Sequence, residues 1–153
     1  PVVHGAQALG CGPVAAAFAE KAEHVKPVKP DTIAKSLAIG NPADGIFALE
    51  VVRETGGSIE SVTEQEIVDG IKLLAQTTGI FTETAGGVTT AVLAKLAASG
   101  KIYRDDEVVL YITGDGLKTL DAVADTISTF EIDPSYSQFE EEVLEGVAKG
   151  ATR

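Results

Sequence analysis

Apolar and polar residues along the chain change period repeatedly, and each change marks an element. Pro1 to Gly12 reads as a short strand followed by a loop. Pro13 then suits a first helical turn, where its missing N–H leaves no bond unmade, and Val14 to Ala22 continues in good helix formers. Lys26-Pro27-Val28-Lys29-Pro30 forbids helix. Asp31 is placed to cap a short helix over Thr32 to Ala38, which Gly40-Asn41-Pro42 ends. A second helix is predicted over Ala43 to Glu54 and a strand over Gly57 to Val62.

Thr63 followed by Glu66 is a capping-box pattern, and Ile67, Ile71, Leu74 and Ala75 fall on one helical face up to Thr78-Gly79. Ile80-Phe81 leads into a loop, Thr82-Glu83-Thr84-Ala85-Gly86-Gly87, ahead of a helix over Val88 to Ala98. That helix is small or apolar nearly all round, the signature of burial on more than one side. Val108 to Thr113 is the clearest strand pattern, unbroken rather than alternating, as in a parallel sheet covered on both faces. The turn Gly114-Asp115-Gly116-Leu117-Lys118 follows, with Asp115 as cap of a helix over Leu117 to Ile127. Asp133-Pro134-Ser135 caps a last helix holding Phe139, Val143, Leu144 and Val147. Alternating strands and helices predict an α/β fold with a mainly parallel sheet flanked by helices. Ligands of such sheets bind beyond the carboxyl ends of the strands, which points to Thr113 to Gly116.

Composition narrows the class. Aromatics are 5% of the 153 residues and Met and Trp are absent, so the core rests on Ala, Val, Ile and Leu. A formal net charge of -11 repels phosphate backbones and anionic lipid, which argues against nucleic-acid and membrane partners. The single cysteine, Cys11, excludes an internal disulfide, favours a reducing cytoplasmic setting and reads as a small buried hydrophobe. The start at Pro1, without an initiator Met, reads as a truncated or processed product. One Cys with His4 and His24 makes no zinc pattern, so no metal is expected. Neither a Walker sequence nor a full dinucleotide fingerprint is present, and a serine nucleophile lacks its elbow. His4 lies near the end of the first strand, where a structural role is the simpler reading. From the pattern alone, the chain is an α/β domain with a cleft for a small ligand.

Three segments in order carry a resemblance. Ser36-Leu37-Ala38-Ile39-Gly40-Asn41-Pro42, Gly79-Ile80-Phe81-Thr82-Glu83-Thr84-Ala85-Gly86-Gly87 and Ile112-Thr113-Gly114-Asp115-Gly116-Leu117-Lys118 resemble segments of the threonine synthases, and His4-Gly5-Ala6-Gln7-Ala8 fits as well. The resemblance spans His4 to about Lys118. It implies the tryptophan synthase β-like fold, fold type II of the pyridoxal-phosphate enzymes, and conversion of O-phospho-L-homoserine and water to L-threonine and phosphate. It further implies that Thr113 hydrogen-bonds the pyridine nitrogen of pyridoxal 5'-phosphate, that Glu83 lines the cofactor's edge, and that Gly40 and Asn41 form part of the pocket wall. Thr82 and Asp115 are left as bystanders. The family's Schiff-base lysine and its Gly-rich phosphate loop have no counterpart here, so no catalytic residue is assigned and the chain alone is expected to be inactive.

Residues 1–130 are then the C-terminal section of a large cofactor-binding catalytic domain, and 131–153 a helical extension. The expected partners are O-phosphohomoserine and the missing N-terminal part of the same protein, and a homodimer is left open. Threonine dehydratase and cysteine synthase, also fold type II, are the near rivals of this reading. A non-catalytic binding or interaction domain of the same fold is the alternative of a different class.

Overall fold

The computed structural model describes residues 1–126 and 131–145, in two compact units, Pro1–Ala122 and Val123–Arg153. In the first unit β1 (Gly5–Ala8) and β2 (Ile59–Val62) pair in parallel, with Gly5 opposite Ile59 and Ala8 opposite Val62. The ladder is anchored at its start by His4, whose Nδ1 accepts the Ser58 N–H at 3.1 Å and lies 3.2 Å from the Ser58 hydroxyl. That bond gives His4 its structural role.

α1 (Pro13–Ala19) begins where Pro13 predicts, and it takes its cap from outside the helix. Gln7 Oε1 accepts the N–H groups of Val14 at 3.0 Å and Ala15 at 2.9 Å. Asp31 starts no α-helix, because only a single 3-10 turn forms, at Lys35–Leu37. α2 (Gly45–Glu54) follows and packs with α1. Val14, Ala15, Ala17, Leu49, Val52 and Ile59 form one buried cluster between these helices and β2.

α3 (Glu64–Thr78) carries the predicted capping box in full. Thr63 Oγ1 accepts the Glu66 N–H at 3.3 Å, and Glu66 Oε2 accepts the Thr63 N–H at 2.7 Å. Lys95 Nζ lies 2.9 Å from Glu66 Oε1 and donates to the Ser61 carbonyl at 2.9 Å. These bonds, that from the Thr63 backbone first and that from Lys95 next, hold the Glu66 carboxyl below the usual carboxylate range. Gly79 closes α3 in the left-handed conformation.

α4 (Thr84–Ala98) begins four residues earlier than the sequence pattern suggests. Most of the predicted Thr82–Gly87 loop is therefore its first turn. α4 contacts both strands and packs most extensively on α3. Glycines set how closely the two helices approach: a Cβ on Gly70 would lie 2.3 Å from the Gly87 carbonyl oxygen, and one on Gly87 2.6 Å from that of Ile67. Ile67, Ile71, Leu74, Val88, Ala91, Val92 and Leu96 are all buried in this region.

The expected strand over Val108 to Thr113 does not form. Val109 and Tyr111 are 78% and 77% exposed, and no backbone N–H from 108 to 113 donates to another described residue. A strand of this kind needs partners on both edges and cover on both faces, and among the described residues it finds neither. Thr89 Oγ1 ties it to α4, donating to the Tyr111 carbonyl at 3.1 Å. The predicted helix after the turn is a 3-10 stretch, Gly116–Ala122, interrupted at Thr119. Its expected end at Ile127 lies outside the described residues.

In the second unit a 3-10 turn covers Ala124–Thr126 and α5 (Tyr136–Gln138) runs into a π-helical stretch, Phe139–Leu144. Ser135 stands at the N-cap as predicted, and Val147 lies outside the described residues. Among the described residues no helix is long and apolar enough to cross a membrane.

Candidate functional site

The Gly79–Gly87 and Ile112–Lys118 segments, distant in sequence, meet in the first unit. Thr82 and Asp115 form an isolated antiparallel bridge, in which Gly116 N–H donates to the Phe81 carbonyl at 3.1 Å and Glu83 N–H to the Gly114 carbonyl at 3.3 Å. Thr82 Oγ1 donates to the same Gly114 oxygen at 3.3 Å. Asp115 Oδ1 accepts the Leu117 N–H at 2.9 Å and so caps the start of the 3-10 stretch that stands where a helix was expected. Thr82 and Asp115 thus join the two loops. Their pairing was not visible in the sequence, since a two-residue bridge has no periodicity.

Gly114 is the pivot. Its φ of +89° is a conformation that residues with a side chain rarely adopt, and an added Cβ would stand 2.2 Å from Glu83 Oε1. The Glu83 carboxylate therefore lies across the bare backbone of Gly114. Glu83 is 8% exposed, and its side chain makes no capping bond to α4 although its extended backbone (φ -67°, ψ 173°) is that of an N-cap. Beside it the Thr84 side chain is fully buried and Oγ1 has no partner among the described residues. Thr84 N–H instead donates to Thr119 Oγ1 at 3.2 Å. Gly116 is packed against the Phe81 ring, where a Cβ would come within 2.4 Å of it.

Thr113 is next to Gly114 in the chain and is exposed, as is Asn41. Gly40 belongs to a different turn, in which its carbonyl accepts the Val28 N–H at 2.9 Å. Among the described residues no hydrogen bond joins Gly40 or Asn41 to Glu83 or Thr113. The structure thus brings Glu83 together with the 113–116 turn and leaves the 40–41 turn separate from them in hydrogen bonding. Among the described residues no three or more His, Cys, Asp or Glu side chains gather as a metal site would require.

A buried hydroxyl without a partner among the described residues, Thr84 Oγ1, next to a carboxylate laid across a glycine backbone, fits a group that brings its own hydrogen-bonding atoms. A pyridoxal-phosphate ring, with polar atoms on a flat apolar frame, has that chemistry.

Comparison with known proteins agrees. Residues 1–114 match the family model described as pyridoxal-phosphate dependent enzyme. The chain is 44% identical over 123 residues to a threonine synthase of Methanocaldococcus jannaschii, covering 80% of this chain and 30% of that protein. It is 38% identical over 122 residues to a threonine synthase of Halalkalibacterium halodurans, covering 80% and 34%. The chain thus spans about a third of the length of these curated relatives. Maize serine racemase superposes with a TM-score of 0.53 at 20% identity, over 81% of this chain and 38% of that one, and shares the α/β fold. The chain accordingly belongs to the pyridoxal-phosphate dependent enzymes, with the fold type II architecture expected from its sequence and pyridoxal phosphate as the family's cofactor.

Proposed function

We propose that this chain is the C-terminal part of a threonine synthase, a lyase of threonine biosynthesis acting in the cytoplasm on O-phospho-L-homoserine. Residues 1–130 are the C-terminal section of the large pyridoxal-phosphate-binding catalytic domain, and residues 131–153 a C-terminal helical extension. The observation that carries the reading is the bridge between the Glu83 and Thr113–Lys118 segments, which are two of the segments that resemble threonine synthase. The relatives from M. jannaschii and H. halodurans support the same assignment.

Pyridoxal phosphate, when bound, draws electrons from the substrate's reacting carbon. The residues of this chain would hold and orient it. Thr113 offers a hydroxyl to the pyridine nitrogen. A neutral hydroxyl cannot keep a proton on that nitrogen as a carboxylate would, so it moderates the ring's pull on electrons. Glu83 presents an acceptor at the cofactor's edge, and Gly40 with Asn41 closes the pocket wall. None of the chain's lysines lies in a context that would anchor the cofactor, so the isolated chain is inactive.

The test joins this chain to the part of the M. jannaschii threonine synthase that lies outside the matched region. Phosphate release from O-phosphohomoserine is then followed with added pyridoxal phosphate. Turnover by the joined protein, with none by the chain alone, is the expected result. Phosphate release by the chain alone would overturn the reading, and formation of a 2-oxo acid from L-threonine without phosphate release would favour a dehydratase.

A further inference from the structure

Thr113 stands in a segment that makes few hydrogen bonds. No backbone N–H from 108 to 113 donates to another described residue, and Thr113 itself is exposed. Two anchors flank it, both supplied by α4 and the residues just before it. On one side the Gly114 carbonyl accepts Glu83 N–H and Thr82 Oγ1, each at 3.3 Å. On the other, Thr89 Oγ1 lies 3.1 Å from the Tyr111 carbonyl oxygen. The Thr89 hydroxyl has one proton and two carbonyls in reach, because the Gly86 oxygen is also 3.1 Å away. The Gly86 oxygen already accepts Thr90 Oγ1 at 2.7 Å, and the helical pattern brings it the Thr90 N–H as well. Its two lone pairs are taken, whereas the Tyr111 oxygen has no other donor among the described residues. The Thr89 proton therefore goes to Tyr111.

We propose that Thr89 is a positioning residue, which holds the Tyr111 carbonyl and so sets the direction of the Thr113 hydroxyl. This rests on the reading of Thr113 as the partner of the pyridine nitrogen. A hydrogen bond to one ring nitrogen needs a direction as well as a distance. The Gly114 anchor alone does not supply it, because glycine has no Cβ to limit rotation of the chain on either side. A second point of attachment ahead of Thr113 removes that freedom. The spacing of the two anchors suits the task. Along α4, the step from Glu83 to Thr89 rises about 9 Å. Extended chain from Tyr111 to Gly114 reaches about 10 Å. The backbone that carries Thr113 thus has little length to spare between its two points of attachment.

The test uses the joined protein described above. Thr89→Val keeps the shape and removes the donor, whereas Thr89→Ser keeps the donor. The first readout needs no cofactor: the backbone order parameter of the Thr113 amide, from nuclear relaxation. In Thr89→Val it should fall from about 0.85 to below about 0.6. The Gly116 amide, bonded to the Phe81 carbonyl, should be unchanged. The second readout is phosphate release with added pyridoxal phosphate. Thr89→Val should lower kcat about fivefold and leave KM unchanged. Thr89→Ser should match the parent in both readouts. Added to Thr113→Val, the Thr89→Val change should cost nothing more, because the hydroxyl it acts through is already gone. A valine variant with the parent's order parameter overturns the proposal, as does one whose loss in kcat multiplies with that of Thr113→Val, or a serine variant that behaves like valine. If the valine variant fails to fold, Thr89→Ala is read by the same criteria. A Thr113→Val enzyme with the parent's kcat would remove the cofactor role of Thr113, and the order parameter would still decide whether Thr89 holds it.

Discussion

The crossing of α3 and α4 yields the most quantitative expectation. Gly70→Ala places a methyl group 2.3 Å from the Gly87 carbonyl oxygen and 3.2 Å from Ala91 Cβ, where ordinary contact begins at 3.4 Å. The obstacle is backbone, so no side chain can swing aside and the helices must part by about 1 Å. A gap of that size forfeits roughly a quarter to a half of the dispersion attraction of each contact it opens. Those contacts belong to Ile67, Ile71, Val88 and Ala91, which are buried in this region. Overpacking of this kind costs about 1–3 kcal/mol. Alanine returns up to about 1 kcal/mol through its better helix propensity. The obstruction by main chain puts the cost at the upper end of its range, and the net destabilisation is about 2 kcal/mol. In a chain of this size that lowers the melting temperature by roughly 4–8 °C. Urea and thermal unfolding followed by far-ultraviolet circular dichroism measure it, with Gln76→Ala, on an exposed position of α3, as the control within about 0.5 kcal/mol. A Gly70→Ala protein as stable as the parent, or more so, would refute the close crossing.

Glu66→Gln tests the capping box by pH. The folded carboxyl titrates below its ordinary value, so its stabilisation is full at neutral pH and is lost as pH falls through the folded value. The glutamine variant should show a shallower acid limb in unfolding measured from pH 7 to pH 3. Thr63→Ala removes the other half of the box and should cost about 1 kcal/mol in urea unfolding. Thr113→Val in the joined enzyme should lower kcat by about 10-fold or more while leaving the fold intact by circular dichroism. Amides of 108–113 should exchange within about tenfold of unstructured rates in the chain alone, since none of them donates a hydrogen bond to another described residue. Slow exchange there would show that the segment is paired.

What the sequence disclosed depended on range. The capping box of α3 and its glycine stop were readable because all the groups concerned lie within the helix or one turn of it. Pro13 announced α1 for the same reason, but its cap, Gln7, sits in β1 and could not be read from the helix itself. The start of α4 was placed late because Thr84, Gly86 and Gly87 are poor helix formers. Packing overrides that preference, since the two glycines admit Thr82 and α3 at short range. Val108 to Thr113 has a strand's composition, but strands are completed by neighbours, and none pairs with it among the described residues. At the site, the motifs marked Glu83 and the 113–116 turn, while Thr119 and the 82–115 bridge arise only from folding. Thr119 was hidden because a hydroxyl acting across 35 residues leaves no spacing to detect.

α4 joins the two halves of this design. Its first turn meets the Gly114 loop, and Lys95 in its last turn holds Ser61 and Glu66. Fifteen residues at 1.5 Å each make a rod about 22 Å long. Such a rod works as a ruler and as a protractor. Deleting one residue from its middle shortens it by about 1.5 Å and turns its two ends by about 100° relative to each other. Lys95 and the Glu83 loop could then no longer both keep their partners. The residue count of α4 is thus as much a requirement of the site as any side chain, and length changes should be tolerated far less than apolar exchanges of similar volume.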